Sequence, residues 1–130
     1  MDKIRHLAIR TEDTHKLATF YKEVFGLEEI HRSKQEGGAI MLSDGYFNLA
    51  ILPNNEQNCM NGLYHFGFQV EDAEKTIQKI EKLGMSRLPK PRPLDRDYAE
   101  MRGSDPDGNY FDMSEHGFLE LNPRKEQKIE

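Results

Sequence analysis

The sequence contains two similar stretches, IRHLAIRTED at residues 4–13 and LYHFGFQVED at residues 63–72, which align without a gap. Each stretch places a histidine among apolar residues and ends in Glu-Asp, so that His6 aligns with His65. Self-similarity of this kind indicates a duplicated structural unit. The two stretches are therefore predicted to be β-strands, each of which opens one copy of the unit.

A helix is predicted after each of these strands. Asp13 and Asp72 are suited to cap the helix N-termini, and Gly26 and Gly84 are suited to end the helices. Apolar residues recur between the caps at helical spacing, which predicts that each helix buries one face. These residues are Leu17, Phe20, Tyr21, Val24 and Phe25 in the first helix, and Ala73, Ile77, Ile80 and Leu83 in the second.

Each copy ends in a predicted hairpin, because two runs of β-forming residues flank a turn sequence. The first turn is Asp44-Gly45, and the second is the tetrapeptide DPDG at residues 105–108. The flanking strands are predicted at 37–43 and 46–52 in the first copy, and at 97–103 and 109–115 in the second.

One further short strand is predicted between helix and hairpin, near 27–32 in the first copy and near 85–88 in the second. The predicted unit is therefore βαβββ, present twice, in a protein of the α+β class. An alignment of residues 45–49 with residues 108–113 sets Asn48 opposite Asp112.

The chain length of 130 residues is that of one typical domain. We predict a single domain over residues 1–118, which consists of a first module at 1–53 and a second module at 62–118. Residues 119–130 are predicted to form a polar C-terminal tail.

Composition and charge exclude several classes of function. The net charge of −5 is the wrong sign for binding nucleic acid or an anionic membrane surface. No stretch approaches the roughly 20 apolar residues of a membrane span, and no signal peptide is evident at the N-terminus, so a cytoplasmic location is expected. The single Cys59 rules out a disulfide within the chain and a cluster of thiolate ligands. Any metal would be held by histidine and carboxylate.

Side chains alternate between the two faces of a strand, so that residues two apart share a face. His6, His65 and Asp112 are each predicted to lie on the polar face of a strand. If the two sheets curl around a common cavity, these three side chains can converge on it. Two imidazoles and one carboxylate would leave open coordination positions on a divalent metal ion.

The sequence resembles the vicinal oxygen chelate superfamily, which includes glyoxalase I, extradiol dioxygenases, methylmalonyl-CoA epimerase and the fosfomycin- and bleomycin-resistance proteins. The resemblance lies in the duplicated βαβββ unit, in a histidine in the first strand of each copy, and in the DPDGN turn at 105–109 with a carboxylate four positions after its glycine. It covers about residues 1–116. It implies a glyoxalase-like fold, in which two tandem modules form curved mixed sheets around a cavity.

The resemblance also implies a set of ligands and cofactors. His6, His65 and Asp112 match the positions of three metal ligands, and the metal would be Fe²⁺, Mn²⁺, Zn²⁺ or Ni²⁺. The fourth ligand of glyoxalase I would fall at Asn48, whose amide oxygen is a poor ligand, so a three-ligand site fits better. Asp112 replaces the usual glutamate, whose side chain is longer by one methylene group. Two alternatives follow for Asp112, which either binds the metal directly or forms a hydrogen bond with a histidine or a water and leaves the metal weakly held.

Other residues on the predicted cavity face are candidates for contact with a small-molecule substrate. Glu100 is the candidate for moving a substrate proton, and Arg102 is the candidate for binding an anion. An exposed ion pair between the two is the alternative. Further candidates for substrate hydrogen bonds are Tyr98, Gln69, Asn48 and Tyr110.

We expect a metal-dependent lyase, isomerase or dioxygenase that chelates two adjacent oxygens of a small substrate. The alternative is a metal-free protein that binds a small molecule or drug, as the bleomycin-resistance relatives do. A homodimer is expected, because edge strands of a sheet favour association.

Overall fold

The computed structural model describes residues 1–56, 59–85, 87–91 and 101–118. The strands are β1 (Lys3–Thr11), β2 (Glu28–Arg32), β3 (Ile40–Ser43), β4 (Asn48–Pro53), β5 (Gly62–Gln69), β6 (Lys90–Pro91), β7 (Met101–Ser104) and β8 (Tyr110–Ser114), and the helices are α1 (Thr14–Phe25) and α2 (Ala73–Lys82). This order confirms the prediction of an α+β protein with two βαβββ modules. The chain divides into two compact units, residues 6–64 and residues 1–5 together with residues from 65 onward.

The first module has the strand order β2-β3-β4-β1. β4 runs parallel to β1 and antiparallel to β3, and β2 completes the order antiparallel to β3. Helix α1 begins as predicted, because the side chain of Asp13 accepts a hydrogen bond from the Lys16 amide at 3.0 Å. It ends at Gly26, whose φ of 74° suits glycine and whose N–H donates to the Lys22 carbonyl.

The core of the first module lies where α1 covers the sheet. Ala18 of α1 is buried against Ile40, Leu42 and Ile51 of β3 and β4. Burial of an Ile or Leu side chain contributes about 1.5–3 kcal/mol, so the burial of Ile40, Leu42 and Ile51 stabilises the module. Partly buried side chains surround this core, namely Leu17, Tyr21, Leu27 and Leu49.

The predicted buried face of α1 is wrong in part. Phe20, Val24 and Phe25 are 51, 56 and 67 % exposed. The sheet covers a narrower stripe than the apolar pattern spans, and this stripe consists of Thr14, Leu17, Ala18 and Tyr21.

The second module has the strand order β5-β8-β7-β6, in which β5 and β8 are parallel and the other pairs are antiparallel. Asp72 caps α2 as predicted, through a 3.0 Å hydrogen bond from the Lys75 amide. Leu83, which was expected on the buried face of α2, is 82 % exposed because it is the C-cap residue beyond the last helical turn. Neither α1 nor α2 has the length and hydropathy required to cross a membrane.

The short strand expected near 85–88 forms instead at Lys90–Pro91, where Arg102 and Met101 of β7 lie opposite. Proline lacks a backbone N–H and is tolerated on an edge strand. The short strand expected near 27–32 is confirmed as β2. Both hairpins are also confirmed over their described residues.

The sequence alignment that sets Asn48 opposite Asp112 is wrong by two residues. In the first module Ala8, two residues after His6, pairs with Ala50. In the second module Gly67, two residues after His65, pairs with Asp112. In each hairpin the two residues that flank the loop pair with each other, Ser43 with Asn48 in the first and Ser104 with Tyr110 in the second. The loop between them is one residue longer at 105–109 than at 44–47. Asp112 therefore corresponds to Ala50, and Asn48 corresponds to Tyr110.

Candidate metal centre

His65 and Asp112 are in direct contact in the second module. β5 carries His65 and β8 carries Asp112, and the pairing of Gly67 with Asp112 places both side chains on the same face of neighbouring strands. The distance from His65 Nε2 to Asp112 Oδ2 is 3.1 Å, and the residues are only 6 and 2 % exposed. Because buried ionisable groups carry a large desolvation cost, this contact needs compensation from its surroundings.

Arg102 supplies that compensation to Asp112. It lies directly opposite Asp112 in the β7–β8 hairpin, with Nε 2.8 Å from Oδ1 and a second nitrogen 3.4 Å from Oδ2. Burial alone would raise the pKa of the Asp112 carboxyl, but the hydrogen bonds from His65 and Arg102 outweigh burial and hold this pKa well below its usual range. Asp112 is therefore an ionised carboxylate at neutral pH.

The donor atoms of His65 and Asp112 fit a divalent metal ion. In an octahedral site with bonds of about 2.1–2.2 Å, adjacent ligand atoms lie about 3.0–3.1 Å apart, which matches the observed 3.1 Å. Without a cation the same distance is that of a hydrogen bond from Nε2–H to the carboxylate. A metal ion would take the place of that hydrogen.

His6 lies in the first module and contacts Asn48. The two residues pair in register between β1 and β4, and His6 Nδ1 lies 3.2 Å from Asn48 Oδ1. His6 is 5 % exposed and Asn48 is fully buried. Because an amide oxygen only accepts, the contact requires a hydrogen on Nδ1 of His6; in a neutral imidazole the lone pair then lies on Nε2. This is the tautomer that a histidine needs if it binds a metal through Nε2.

The other residues that the sequence predicts to contact a substrate are Gln69, Tyr110, Tyr98 and Glu100. Gln69 accepts a hydrogen bond from Arg5 at 2.5 Å and donates to the Glu115 carbonyl at 3.4 Å. Tyr110 stands on β8 and is 44 % exposed. Tyr98 and Glu100 lie outside the described residues. Substrate binding by these side chains and by Arg102 stays a prediction.

Sequence reasoning missed the pairing of Arg102 with Asp112. The sequence predicts that Arg102 binds an anion or pairs with Glu100, yet the Arg102 guanidinium donates to the Asp112 carboxylate across the hairpin. The signal was present in the sequence. Counting outward from the loop at 105–109 brings Arg102 and Asp112 opposite each other.

Several solved structures share this fold. A methylmalonyl-CoA epimerase in complex with methylmalonyl-CoA and NH4+ is 20 % identical, with a TM-score of 0.62 over 87 % of this chain and 93 % of that chain. The methylmalonyl-CoA epimerase from Mycobacterium tuberculosis is 12 % identical, with a TM-score of 0.65 over 85 % of each chain. The 2,3-dioxygenase LapB from Pseudomonas sp. KL28 is 21 % identical, with a TM-score of 0.65 over 92 % of this chain and 41 % of that chain.

A family model provides the match at the level of sequence. The model of the Glyoxalase/Bleomycin resistance protein/Dioxygenase superfamily matches residues 3–113, which span most of both modules and include His6, His65 and Asp112. The match spans most of the chain and confirms the resemblance found in the sequence. This protein belongs to the Glyoxalase/Bleomycin resistance protein/Dioxygenase superfamily.

Proposed function

We propose that this protein is a divalent-metal-dependent enzyme that acts on a small oxygenated molecule, and that His6, His65 and Asp112 hold the metal ion. The observation that carries the proposal is the buried contact of His65 with Asp112 at 3.1 Å, the spacing of adjacent metal ligands. Asp112 offers a charged oxygen, because its lowered pKa keeps the carboxyl ionised at neutral pH.

His6 is proposed as the third ligand. It has the same place in the first strand of its module that His65 has in the second, it is buried, and Asn48 favours the tautomer with the lone pair on Nε2. Together the three residues offer two imidazole nitrogens and a carboxylate oxygen. Such a set suits Fe²⁺, Mn²⁺, Zn²⁺ or Ni²⁺ and leaves coordination positions open.

A bound metal ion would supply Lewis-acid polarisation of two adjacent oxygens of a substrate. The protein's own residues would do the rest. Burial of His65 and Asp112 limits the access of water to these side chains, and Arg102 holds the carboxylate in place. We propose Glu100 as the residue that moves a substrate proton, and propose substrate contacts for Arg102, Tyr98, Gln69, Asn48 and Tyr110.

Membership in the superfamily and the structural likeness to an epimerase and a dioxygenase support a reaction of the isomerase, lyase or dioxygenase type. The fold hosts several chemistries, so the metal and the substrate must be identified by experiment. We also propose that the protein is a cytoplasmic homodimer. The terminal strands β2 and β6 of the two strand orders support association, because edge strands are common sites of pairing.

A metal-free protein that binds a small molecule is the second candidate. It is favoured by the two hydrogen bonds from Arg102 to Asp112, since these neutralise the buried carboxylate without any metal ion. The superfamily also includes bleomycin-resistance proteins.

Elemental analysis of the purified protein separates the two candidates. The protein would be prepared without chelator and without a metal-affinity tag, beside Asp112→Ala, Asp112→Asn and the control Asp107→Ala in the exposed turn. We expect about one transition-metal ion per chain in the wild type and the control, and little metal in either Asp112 variant. Circular dichroism would verify that each variant is folded.

Two results would overturn the assignment. A wild-type protein that is empty and takes up no added Fe²⁺, Mn²⁺, Ni²⁺ or Zn²⁺ would favour the metal-free binding protein. A folded Asp112→Ala variant with the wild-type metal content would show that Asp112 is not a ligand.

A further inference from the structure

A cavity of about 360 Å³ opens on the second module beside Arg102. Three of its lining residues are cationic, and no acidic side chain is among the described residues that line it. Two lining residues offer hydroxyl groups and others are apolar. The residues that matter for its chemistry are Arg87, Lys90, Arg102, Ser104, Tyr110 and Leu88.

The cations of the cavity are brought together by strand pairing. Lys90 lies directly opposite Arg102, and Arg102 lies directly opposite Asp112, so that the three side chains form a row across β6, β7 and β8. Like charges directly opposite each other in a sheet are destabilising. Asp112 supplies one negative charge to this row of two cations, which leaves an excess positive charge at the Lys90 end.

Arg87 adds a third cation to the cavity wall. Among the described residues, neither Arg87 nor Lys90 has an acidic side chain within ion-pairing distance. Both residues are exposed, so water hydrates their charges. An anion in the cavity would meet the cationic side chains of Arg87, Lys90 and Arg102 in its lining.

We propose that this cavity binds a small organic anion, one that carries a carboxylate, sulfonate or phosphate group on an apolar body. The volume lies in the lower range of ligand pockets, which suits a small molecule. Guanidinium and ammonium groups form charge-assisted hydrogen bonds with such anions, and Ser104 and Tyr110, which pair across the hairpin, place hydroxyl groups at the same cavity. Leu88 provides apolar surface for the body of the ligand.

The inference deepens the proposed function, and rests on it in one respect, because an anion held here would be the substrate that approaches the metal site. The anion site itself consists only of residues of the second module. Its existence can therefore be tested on protein from which every metal ion has been removed.

Calorimetric titration of metal-free protein tests the proposal with defined probes. Phenyl phosphate and benzenesulfonate supply the anion, and benzyl alcohol is the neutral control of similar size. The variants are Arg87→Gln and Lys90→Gln, with Lys75→Gln on the exposed face of α2 as a matched loss of charge outside the cavity. We expect one anion per chain, and affinity about five- to tenfold lower in each cavity variant but unchanged in Lys75→Gln.

Ionic strength provides a second readout, since raising the salt concentration should weaken the binding of both anions. No binding of either anion at millimolar concentration would overturn the proposal. Equal binding of benzyl alcohol, or wild-type affinity in both cavity variants, would also overturn it. If the anions bind but elemental analysis finds no metal, the cavity is a ligand site of a metal-free protein. Failure of the anion site and failure of the metal site are therefore distinguishable.

Discussion

Arg102 lies directly across the β7–β8 hairpin from Asp112 and donates a hydrogen bond from Nε to Oδ1 at 2.8 Å. Asp112 is 2 % exposed, whereas the Arg102 side chain is 28 % exposed and extends toward the cavity of the second module. This one guanidinium therefore links a proposed metal ligand to a proposed anion site.

Replacement of Arg102 by Met should destabilise the protein by about 2 kcal/mol at pH 7, because it leaves the buried Asp112 carboxylate with His65 as its partner. Urea unfolding followed by circular dichroism would measure the change. Arg102→Lys, which keeps the charge but not the paired geometry, should lose less. Wild-type stability in Arg102→Met would contradict an energetic role for the pair.

Acid should remove the contribution of Asp112 to stability. The pKa of Asp112 is lowered in the folded state, so its contribution is fully present above the pKa of about 3.9 in the unfolded chain. It is then lost as the pH falls through the lower folded pKa. We expect a shallower dependence of unfolding free energy on pH below about 4 in Asp112→Asn than in the wild type. Urea unfolding at several pH values would measure this, and the same slope of unfolding free energy against pH in both proteins would contradict the prediction.

Asn48 should influence metal affinity through His6. Removing a group that orients a metal-bound histidine typically lowers metal affinity 10- to 100-fold, and we expect a loss of about that size in Asn48→Ala. A competition titration of Zn²⁺ with a fluorescent indicator would measure it. Asn48→Asp, which keeps an acceptor oxygen on the same short side chain, should bind Zn²⁺ more tightly than Asn48→Ala. Unchanged affinity in both variants would show that the contact does not support a metal site.

Metal and anion should bind cooperatively. A metal ion bound to Asp112 would weaken the hydrogen bonds between Asp112 and Arg102, so that the Arg102 guanidinium could bind an anion in the cavity. Thermodynamic linkage requires that the anion then raises the affinity for the metal by the same factor. We expect saturating benzenesulfonate to tighten Zn²⁺ binding about five- to tenfold. The same indicator titration with and without the anion tests this, and Arg102→Met should abolish the effect. Zn²⁺ affinity that does not respond to the anion would exclude the coupling.

Local patterns in the sequence were sufficient to predict the order of the elements. The repeated stretches at 4–13 and 63–72 marked β1 and β5, helical spacing marked α1 and α2, and Asp13 and Asp72 marked the helix starts. These signals act between residues that are close in the chain, so they can be read without knowledge of the fold. The same duplication drew attention to His6 and His65 as related positions.

The tertiary structure alone decided which parts of those patterns are buried. The apolar stripe of α1 extends to Phe20, Val24 and Phe25, yet the sheet covers a narrower set of residues around Ala18. Helical spacing identifies a face of a helix but does not give the width of the surface packed against it, which depends on the positions of β3 and β4.

The sequence determined the residue types of the candidate site, whereas the register of the strands, which only the tertiary structure shows, determined their neighbours. The residue types of a metal site were evident from His6, His65 and Asp112, because imidazole and carboxylate chemistry belongs to the side chain. The hydrogen-bond partners of the two histidines were not evident: the pairing of β1 with β4 brings Asn48 to His6, and the pairing of β5 with β8 brings Asp112 to His65. Register depends on contacts between residues distant in the chain, and it is these contacts that set the charge and hydrogen bonding of the site.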